Sequence, residues 1–153
     1  MKLSSTEEYG LRCLLQIAKL QSASPVPITE VAAREGLSAD YVAKLLRVLR
    51  KGGLLTSVRG AQGGYMLARP AAEITVHDAL VALDGPLYDG AFCEAHSGKE
   101  LSCVHSTGCS IRGLWRWIGS SLEQALSSIT LADLARGEGF VNRAFPTTSE
   151  VSV

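Results

Sequence analysis

Apolar residues recur every three or four positions in several stretches of the chain, which is the pattern of helices with one buried face. In the first half of the chain, this pattern predicts helices over residues 4–21, 28–35 and 39–51. Gly36 can adopt the left-handed conformation that ends a helix, and the hydroxyl of Ser38 can cap the third helix. Two short helices joined by a tight turn predict a helix-turn-helix, whose second helix enters the major groove of DNA.

Two short strand patterns follow the third helix. Residues 54–58 and 65–67 are the predicted strands, and the glycine-rich residues 59–64 separate them. Because glycine tolerates a positive φ, this arrangement predicts a protruding β-hairpin, or wing. The predicted fold class is therefore mainly α with a small β-wing. We expect a winged helix-turn-helix head over residues 1–84, which ends with a helix over residues 76–84.

The second half of the chain divides into a loop, a long helix and a tail. Residues 85–109 show little secondary-structure pattern and form the predicted loop, and residues 136–153 are predicted to be a mobile tail. Residues 110–135 contain a long amphipathic helix and a short helix after it. The apolar stripe of the long helix is longer than so small a head can cover, and we therefore predict a homodimer. The predicted dimerisation residues are Ile111, Leu114, Trp115, Ile118, Leu122 and Leu126.

Charge is distributed unevenly along the chain. Residues 1–70 contain ten basic and five acidic residues, whereas residues 71–153 contain five basic and ten acidic residues, which gives net charges of +5 and −5. A basic head is typical of a protein that binds a polyanion, although chance variation on exposed helices produces similar differences. No stretch reaches the roughly 18 apolar residues that a membrane helix requires, and no signal peptide is visible. We therefore expect a cytoplasmic protein that does not contact a membrane.

The third helix and the wing supply the candidate contacts with double-stranded DNA. Lys44 and Arg47 can reach base edges or phosphates in the major groove, and Arg59 at the base of the wing can enter the minor groove. The alternative is a solvated basic face on an ordinary helical core, but the glycine-rich wing favours DNA binding. The predicted DNA contacts are Ser38, Asp40, Tyr41, Lys44, Arg47, Arg59, Gln62 and Arg69.

Three of the four cysteines lie in the predicted loop, with the spacing Cys93-x9-Cys103-x5-Cys109. Thiolates bind zinc, cuprous copper and iron–sulfur clusters, and Cys109 lies where a helix N-terminus favours a thiolate. A loop of free thiols is the alternative. Cys13 lies among leucines in the first helix, and we predict that it packs in the core.

Several segments resemble a known family. The segments are Leu37-Ser-x-x-Tyr41-Val-x-Lys-Leu-Leu46-x-x-Leu49, Arg59-Gly60-x-x-Gly63-Gly64-Tyr65-x-Leu67-Ala-Arg69, Ile74-Thr-Val-x-Asp78 and Ile129-Thr-Leu-x-Asp133. Over residues 1–135 the chain resembles the Rrf2 family of winged-helix transcription regulators, and the wing segment is highly specific. The resemblance implies a homodimer that binds a near-palindromic DNA site. It also implies an iron–sulfur cluster, either 2Fe-2S or 4Fe-4S, on Cys93, Cys103 and Cys109.

The chain departs from part of that family at the fourth cluster ligand. IscR-like members have a histidine three positions after the last cysteine, whereas this chain has Arg112, which cannot bind iron. In NsrR-like members an acidic residue near the N-terminus binds the cluster from the opposite protomer, and Glu8 occupies that position. A first-turn acid often serves only the helix dipole, and His105 is the alternative ligand.

These observations favour a DNA-binding transcription regulator, expected to be a repressor, whose cluster responds to redox change or nitric oxide. A cluster-free or zinc-bound thiol switch of the same fold is the alternative regulator. An electron-transfer or metal-binding protein that does not bind DNA has no use for a positively charged wing. We do not expect an enzyme, because no phosphate-binding loop and no nucleophile–base pair is visible.

Overall fold

The structure is a computed structural model that describes residues 3–20, 24–86, 99, 103–105 and 107–146. The head begins with three helices, a two-stranded sheet and a fourth helix, which confirms the predicted fold class. The elements are α1 (Ser5–Leu20), α2 (Ile28–Glu35), α3 (Ala39–Lys51), β1 (Leu55–Val58), β2 (Gly64–Leu67), a 3-10 turn (Ala71–Glu73), α4 (Val76–Asp84), α5 (Ser110–Ser127), α6 (Leu131–Ala135) and α7 (Glu138–Ala144).

The core of the head lies where α1, α3 and α4 pack together. The apolar stripe of α3, from Val42 to Leu49, is buried there, as its helical spacing predicts. Cys13 of α1 is fully buried in the same core. Burial, with a smaller contribution from the charge of Glu35, raises the pKa of the Cys13 thiol to about 12. Cys13 is therefore confirmed as a core residue, and its thiol stays protonated at neutral pH.

The wing is an antiparallel hairpin in which Val58 lies opposite Gly64. Both strands begin within one residue of the predicted positions. Val26, in the segment before α2, pairs with Tyr65 of β2 through two backbone hydrogen bonds of 2.9 Å. A side chain at Gly64 would collide with the backbone carbonyl of Val26, so this close pairing requires glycine. The pairing holds the wing against the start of the helix-turn-helix.

Two capping boxes of the same type mark the beginnings of α4 and α6. Thr75 and Asp78 form the first box, and Thr130 and Asp133 form the second. In each box the aspartate carboxylate accepts a hydrogen bond from the threonine N–H, at 3.1 Å and 3.0 Å respectively. The threonine hydroxyl accepts a hydrogen bond from the aspartate N–H in return. Both helix ends therefore have partners for backbone groups that helices leave unpaired.

The two caps lie side by side because the segments that lead into them form an antiparallel bridge. The N–H of Val76 donates to the carbonyl of Ile129 at 2.9 Å, and the N–H of Leu131 donates to the carbonyl of Ile74 at 2.8 Å. Leu131 is 2% exposed and belongs to the core of the head. The sequence analysis grouped this short helix with the long helix, whereas the structure packs α6 against α1.

The end of the chain contains one helix that the sequence analysis did not predict. α7 lies inside the segment predicted to be a mobile tail, and it packs against α6. The cation of Arg136 lies 3.6 Å from the ring centre of Phe140 and links the two helices. Among the helices that the structure describes, none is both long and apolar enough to cross a membrane.

Protonation of Asp78 is expected to destabilise the head. Burial raises the pKa of Asp78, but hydrogen bonds from Thr75 and Arg69 together lower it by more, and the net pKa lies below the ordinary value. A carboxylate with a lowered pKa contributes stability above its unfolded-state pKa of about 3.9, and the contribution is lost as the pH falls through the folded-state pKa. As the pH is lowered below about 5, the melting temperature of Asp78→Asn should fall less than that of the wild type. Asp84→Asn, at the exposed end of the same helix, should show the same dependence of melting temperature on pH as the wild type. The wild-type dependence in Asp78→Asn would contradict a stabilising role of the Asp78 carboxylate.

Candidate DNA interface and cysteine loop

The helix-turn-helix is formed by α2, a tight turn and α3. Gly36 has φ 66° and ψ 33°, the left-handed conformation predicted for this position, and its N–H donates to the carbonyl of Ala32. Ser38 then caps α3, because its hydroxyl accepts a hydrogen bond from the N–H of Tyr41 at 3.3 Å. These local interactions set where α3 begins, and they place Ser38 and Tyr41 at the end of α3 that approaches DNA in a helix-turn-helix.

One side of α3 is polar, cationic and exposed. Asp40, Lys44, Arg47 and Lys51 follow each other at intervals of three or four residues, and all four are exposed opposite the buried stripe. We refer to α3 as the recognition helix. Its exposed side fits the predicted contacts by Asp40, Lys44 and Arg47, since their side chains are available to a ligand outside the head.

The recognition helix is also linked to the wing. The guanidinium of Arg50 donates to the hydroxyl of Ser57 on β1 at 3.3 Å. Arg50 was not among the predicted DNA contacts, although it stands three residues after Arg47, a spacing that places residues near each other on a helix. Arg59 and Gln62 lie in the turn between β1 and β2, which places Arg59 at the tip of the wing and not at its base as predicted. Both side chains are exposed, as expected for contacts with DNA.

The guanidinium of Arg69, which was predicted to contact DNA, is bonded to other residues of the head. Its guanidinium donates to the backbone carbonyl of Glu73 at 3.0 Å and forms an ion pair with Asp78 at 2.8 Å. These bonds join the end of β2 to the first turn of α4. The geometry therefore gives Arg69 a role within the head, which sequence reasoning missed because the partner carboxylate also belongs to a capping box.

The cysteine loop is described only in part. Cys103 and Cys109 are both half-buried, whereas Cys93 and His96 lie outside the described residues. Cys109 is the N-cap of α5, and its Sγ accepts a hydrogen bond from the N–H of Arg112 at 3.3 Å. Cys109 therefore presents its sulfur at the N-terminus of α5.

The candidate fourth ligands lie in different parts of the chain. Glu8 is exposed on α1, whereas the neighbouring Glu7 is buried and its carboxylate accepts a hydrogen bond from the N–H of Ser4 at 2.7 Å. His105 is exposed in the loop between the two described cysteines. Within the part of the chain that the structure describes, no three histidine, cysteine, aspartate or glutamate side chains lie together as a metal site.

The first half of the apolar stripe on the long helix α5 is exposed. Ile111 is 61% exposed, Leu114 46% and Trp115 52%, and none of the side chains of α5 is buried. The rest of the predicted stripe, Ile118, Leu122 and Leu126, is half-buried. α4 packs against α5. Trp117 lies outside the predicted stripe, because residues two apart, such as Trp115 and Trp117, point in nearly opposite directions on a helix. Its side chain is 67% exposed. An exposed apolar surface of this kind is typical of an interface with another protein.

Comparisons with known proteins assign this architecture to a family. A family model described as "Rrf2: Iron-dependent Transcriptional regulator" matches residues 3–137. The chain belongs to the Rrf2 family. It is 40% identical to "Protein rrf2" of Nitratidesulfovibrio vulgaris, over 89% of this chain and 88% of that protein. It is 34% identical to the "HTH-type transcriptional regulator IscR" of Escherichia coli K12, over 90% of this chain and 82% of that protein.

Solved structures of other proteins share the fold. CymR, the global cysteine regulator of B. subtilis, is 32% identical with a TM-score of 0.69, over 89% of this chain and 97% of that one. IscR of T. potens is also 32% identical, with a TM-score of 0.68 over 100% of this chain and 93% of that one. These relationships confirm a winged-helix, DNA-binding transcription regulator and not an enzyme.

Proposed function

We propose that this Rrf2-family regulator is a cytoplasmic homodimer whose cysteine loop binds an iron–sulfur cluster. In this proposal, the state of the cluster sets the affinity of the two heads for a near-palindromic operator, at which the protein acts as a repressor. One observation carries the proposal: the Cys109 thiol caps the long exposed helix, in a loop that also contains half-buried Cys103. One soft ligand therefore lies at the start of the helix proposed to join the protomers, and a second belongs to the loop before it.

The donor atoms of the loop fit such a cluster. Thiolates are the usual ligands of iron–sulfur clusters, and Cys109 holds its sulfur at the N-terminus of α5, where the N–H of Arg112 donates to it. Cys103 and Cys109 are both half-buried, which leaves their sulfur atoms accessible to a ligand. Cys93 is the proposed third thiolate. A bound iron–sulfur cluster would supply one-electron redox chemistry and iron that reacts with small molecules.

We propose Glu8 of the opposite protomer as the fourth ligand, with His105 as the alternative. Exposure of the Glu8 side chain supports this choice, since its carboxylate is not used by the capping interaction that holds Glu7. Glu8 belongs to α1 of the head, whereas the cysteines belong to the loop before α5. A bond between these parts would tie the orientation of a head to the state of the loop. Release of Glu8 would then let the two recognition helices change their separation.

The proposed dimer uses the exposed stripe of α5. Covering Ile111, Leu114 and Trp115 would remove a large apolar surface from water, which is the main driving force of protein association. In the dimer, the two recognition helices would lie one DNA turn apart, roughly 34 Å. Lys44 and Arg47 would then contact the major groove, and Arg59 would enter the adjacent minor groove.

The proposed regulation is tested by the operator affinity of three forms of the full chain. Anaerobically purified protein, the same protein after oxidation and the protein after removal of iron are compared on one selected duplex at one salt concentration. Fixed salt is necessary because phosphate contacts make the affinity of every form depend on ionic strength. We expect at least about a tenfold difference between the intact and the iron-free form, or roughly 1.4 kcal/mol. Three equal affinities would leave a DNA-binding regulator without this sensor.

A cluster-free thiol switch is the second candidate. It is favoured by the likeness to S. aureus CymR, solved in an oxidized form, which is 30% identical with a TM-score of 0.66 over 90% of this chain and 98% of that one. In this case, Cys103 or Cys109 would be oxidised directly. Purified protein without visible absorption or bound metal, whose operator affinity still responds to oxidant and thiol reductant, would identify this function.

A further inference from the structure

A cluster of polar and aromatic side chains joins α1 to both helices of the helix-turn-helix. The guanidinium of Arg12 on α1 forms an ion pair with Glu35 at 2.6 Å, and the amide of Gln16 donates to the other carboxylate oxygen at 2.7 Å. The Glu35 side chain is 5% exposed, so α1 supplies both partners of an almost buried carboxylate. We refer to Tyr9, Arg12, Gln16, Glu35 and Tyr41 as the α1 clasp.

The clasp continues from Arg12 to the recognition helix. The guanidinium carbon of Arg12 lies 5.3 Å from the ring centre of Tyr9. The ring of Tyr9 meets that of Tyr41 edge to face, with 6.1 Å between their centres and an angle of 80° between their planes. Both geometries lie in the range of favourable cation–π and aromatic contacts. Arg12 therefore contacts the end of α2 directly and the start of the recognition helix through Tyr9.

We infer that Glu35 is a positioning residue that acts through Arg12 and Tyr9 to aim Tyr41 at a DNA phosphate. Glu35 is the last residue of α2, directly before the left-handed Gly36. It is therefore bonded to α1 at the point where the chain turns toward the recognition helix. Tyr41 lies in the first turn of that helix, and its phenol is the only part of its side chain that can hydrogen-bond phosphate.

An ionic pair with one buried partner is a suitable positioning device because its geometry is restrictive. The Glu35 carboxylate is withdrawn from water and depends on well-aligned hydrogen bonds, whereas the Arg12 side chain is 45% exposed. Glu35 also raises the pKa of Arg12 through a hydrogen bond and its charge, which agrees with a close ionic contact. The side chains that lead from Glu35 to Tyr41 are thus in contact before DNA is bound, and binding does not have to bring them together.

The test is a double-mutant cycle with the full-length protein and a duplex selected from a random library by the wild type. Glu35→Gln, Tyr41→Phe and the double variant are compared with the wild type by their dissociation constants. Tyr41→Phe keeps the ring that packs on Tyr9 and removes only the phenol oxygen. Each single variant should weaken binding about tenfold, the effect of one hydrogen bond to a charged group. In the Tyr41→Phe background, Glu35→Gln should change affinity less than about twofold, because the contact that it positions is already lost.

Controls separate positioning from stability. Glu30→Gln removes a carboxylate from the same helix, where Glu30 pairs with Arg34 at 3.2 Å on the exposed side, and it should leave affinity unchanged. Tyr9→Leu interrupts the clasp without changing the ion pair. If Glu35→Gln does not fold, Tyr9→Leu takes its place in the cycle and should show the pattern expected of Glu35→Gln. Equal effects of Glu35→Gln, or of Tyr9→Leu, in both Tyr41 backgrounds would overturn the inference.

The inference rests on the proposed phosphate contact by Tyr41, and the cycle tests that contact separately. Wild-type affinity in Tyr41→Phe would exclude the contact and, with it, the role of Glu35. Neither result depends on a bound cluster, because every variant can be measured in its iron-free form. A failure of the proposed cluster chemistry is therefore distinguishable from a failure of the clasp.

Discussion

Replacing Trp115 with glutamate is expected to convert the proposed dimer into monomers and to abolish tight operator binding. Trp115 lies in the exposed apolar stripe of α5 and is 52% exposed in the single chain. Tryptophan buries about 150–250 Å² in an interface, so its loss together with the burial of a charge removes at least about 4 kcal/mol. That corresponds to roughly a thousandfold weaker association. Sedimentation velocity at micromolar protein would report the change directly.

Trp117 provides a matched control for this experiment. It is the same residue type, it lies two positions away on the same helix and it is 67% exposed. Because it lies outside the predicted stripe, Trp117→Glu should remain dimeric and should bind the operator normally. Dimers in both variants would show that α5 does not join the protomers through this stripe, and monomers in both would show that the interface is wider than the stripe.

Replacing Cys109 with alanine is expected to abolish the visible absorption of anaerobically purified protein. Cys109 offers its sulfur at the N-terminus of α5, where the N–H of Arg112 donates to it, and alanine provides no ligand there. An iron–sulfur cluster that loses one of three thiolates is held by too few soft ligands to persist. Cys93→Ala and Cys103→Ala should have the same effect. Full retention of absorption and iron in Cys109→Ala would contradict the proposed ligand set.

Cys13→Ala is the control for the cysteine variants. Cys13 is fully buried in the head and its thiol is protonated, so its removal should leave the absorption unchanged. The variant should lose only roughly 1 kcal/mol of stability, because a small buried side chain is shortened. Glu8→Ala and His105→Ala then identify the fourth ligand. The variant that alters the spectrum while keeping the iron marks the residue that binds it.

Local chemistry explains why much of the head was predictable. Gly36 and Ser38 determine where α2 ends and α3 begins through contacts with residues a few positions away. In the wing, Gly60 acts in the same local way, because its φ of 119° suits a glycine. The periodicity of α3 identifies its buried stripe, and the exposed side follows by exclusion. These interactions require no knowledge of the rest of the fold, so a sequence pattern is sufficient to predict them.

Contacts between distant residues were not predictable from such patterns. Arg69 was predicted to contact DNA because it is a cation near the wing, but its partner Asp78 is set by the packing of α4. Glu35 and Arg12 are separated by 23 positions, and neither has a recognisable motif that specifies the other. The packing of α6 into the head depends on the bridge between Thr75 and Thr130. Each pairing results from tertiary structure, which fixes partners that the local sequence leaves undetermined.

The bridge between Thr75 and Thr130 also affects when the head can complete its core during synthesis on the ribosome. Leu131 fills the core of the DNA-binding head, but the ribosome makes it only after the cysteine loop and all of α5. A nascent chain that has emerged through α4 still lacks this side chain and the two hydrogen bonds of the bridge. Domains that fold during synthesis need their complete core. The head therefore acquires its final stability only once the whole cysteine loop has been synthesised.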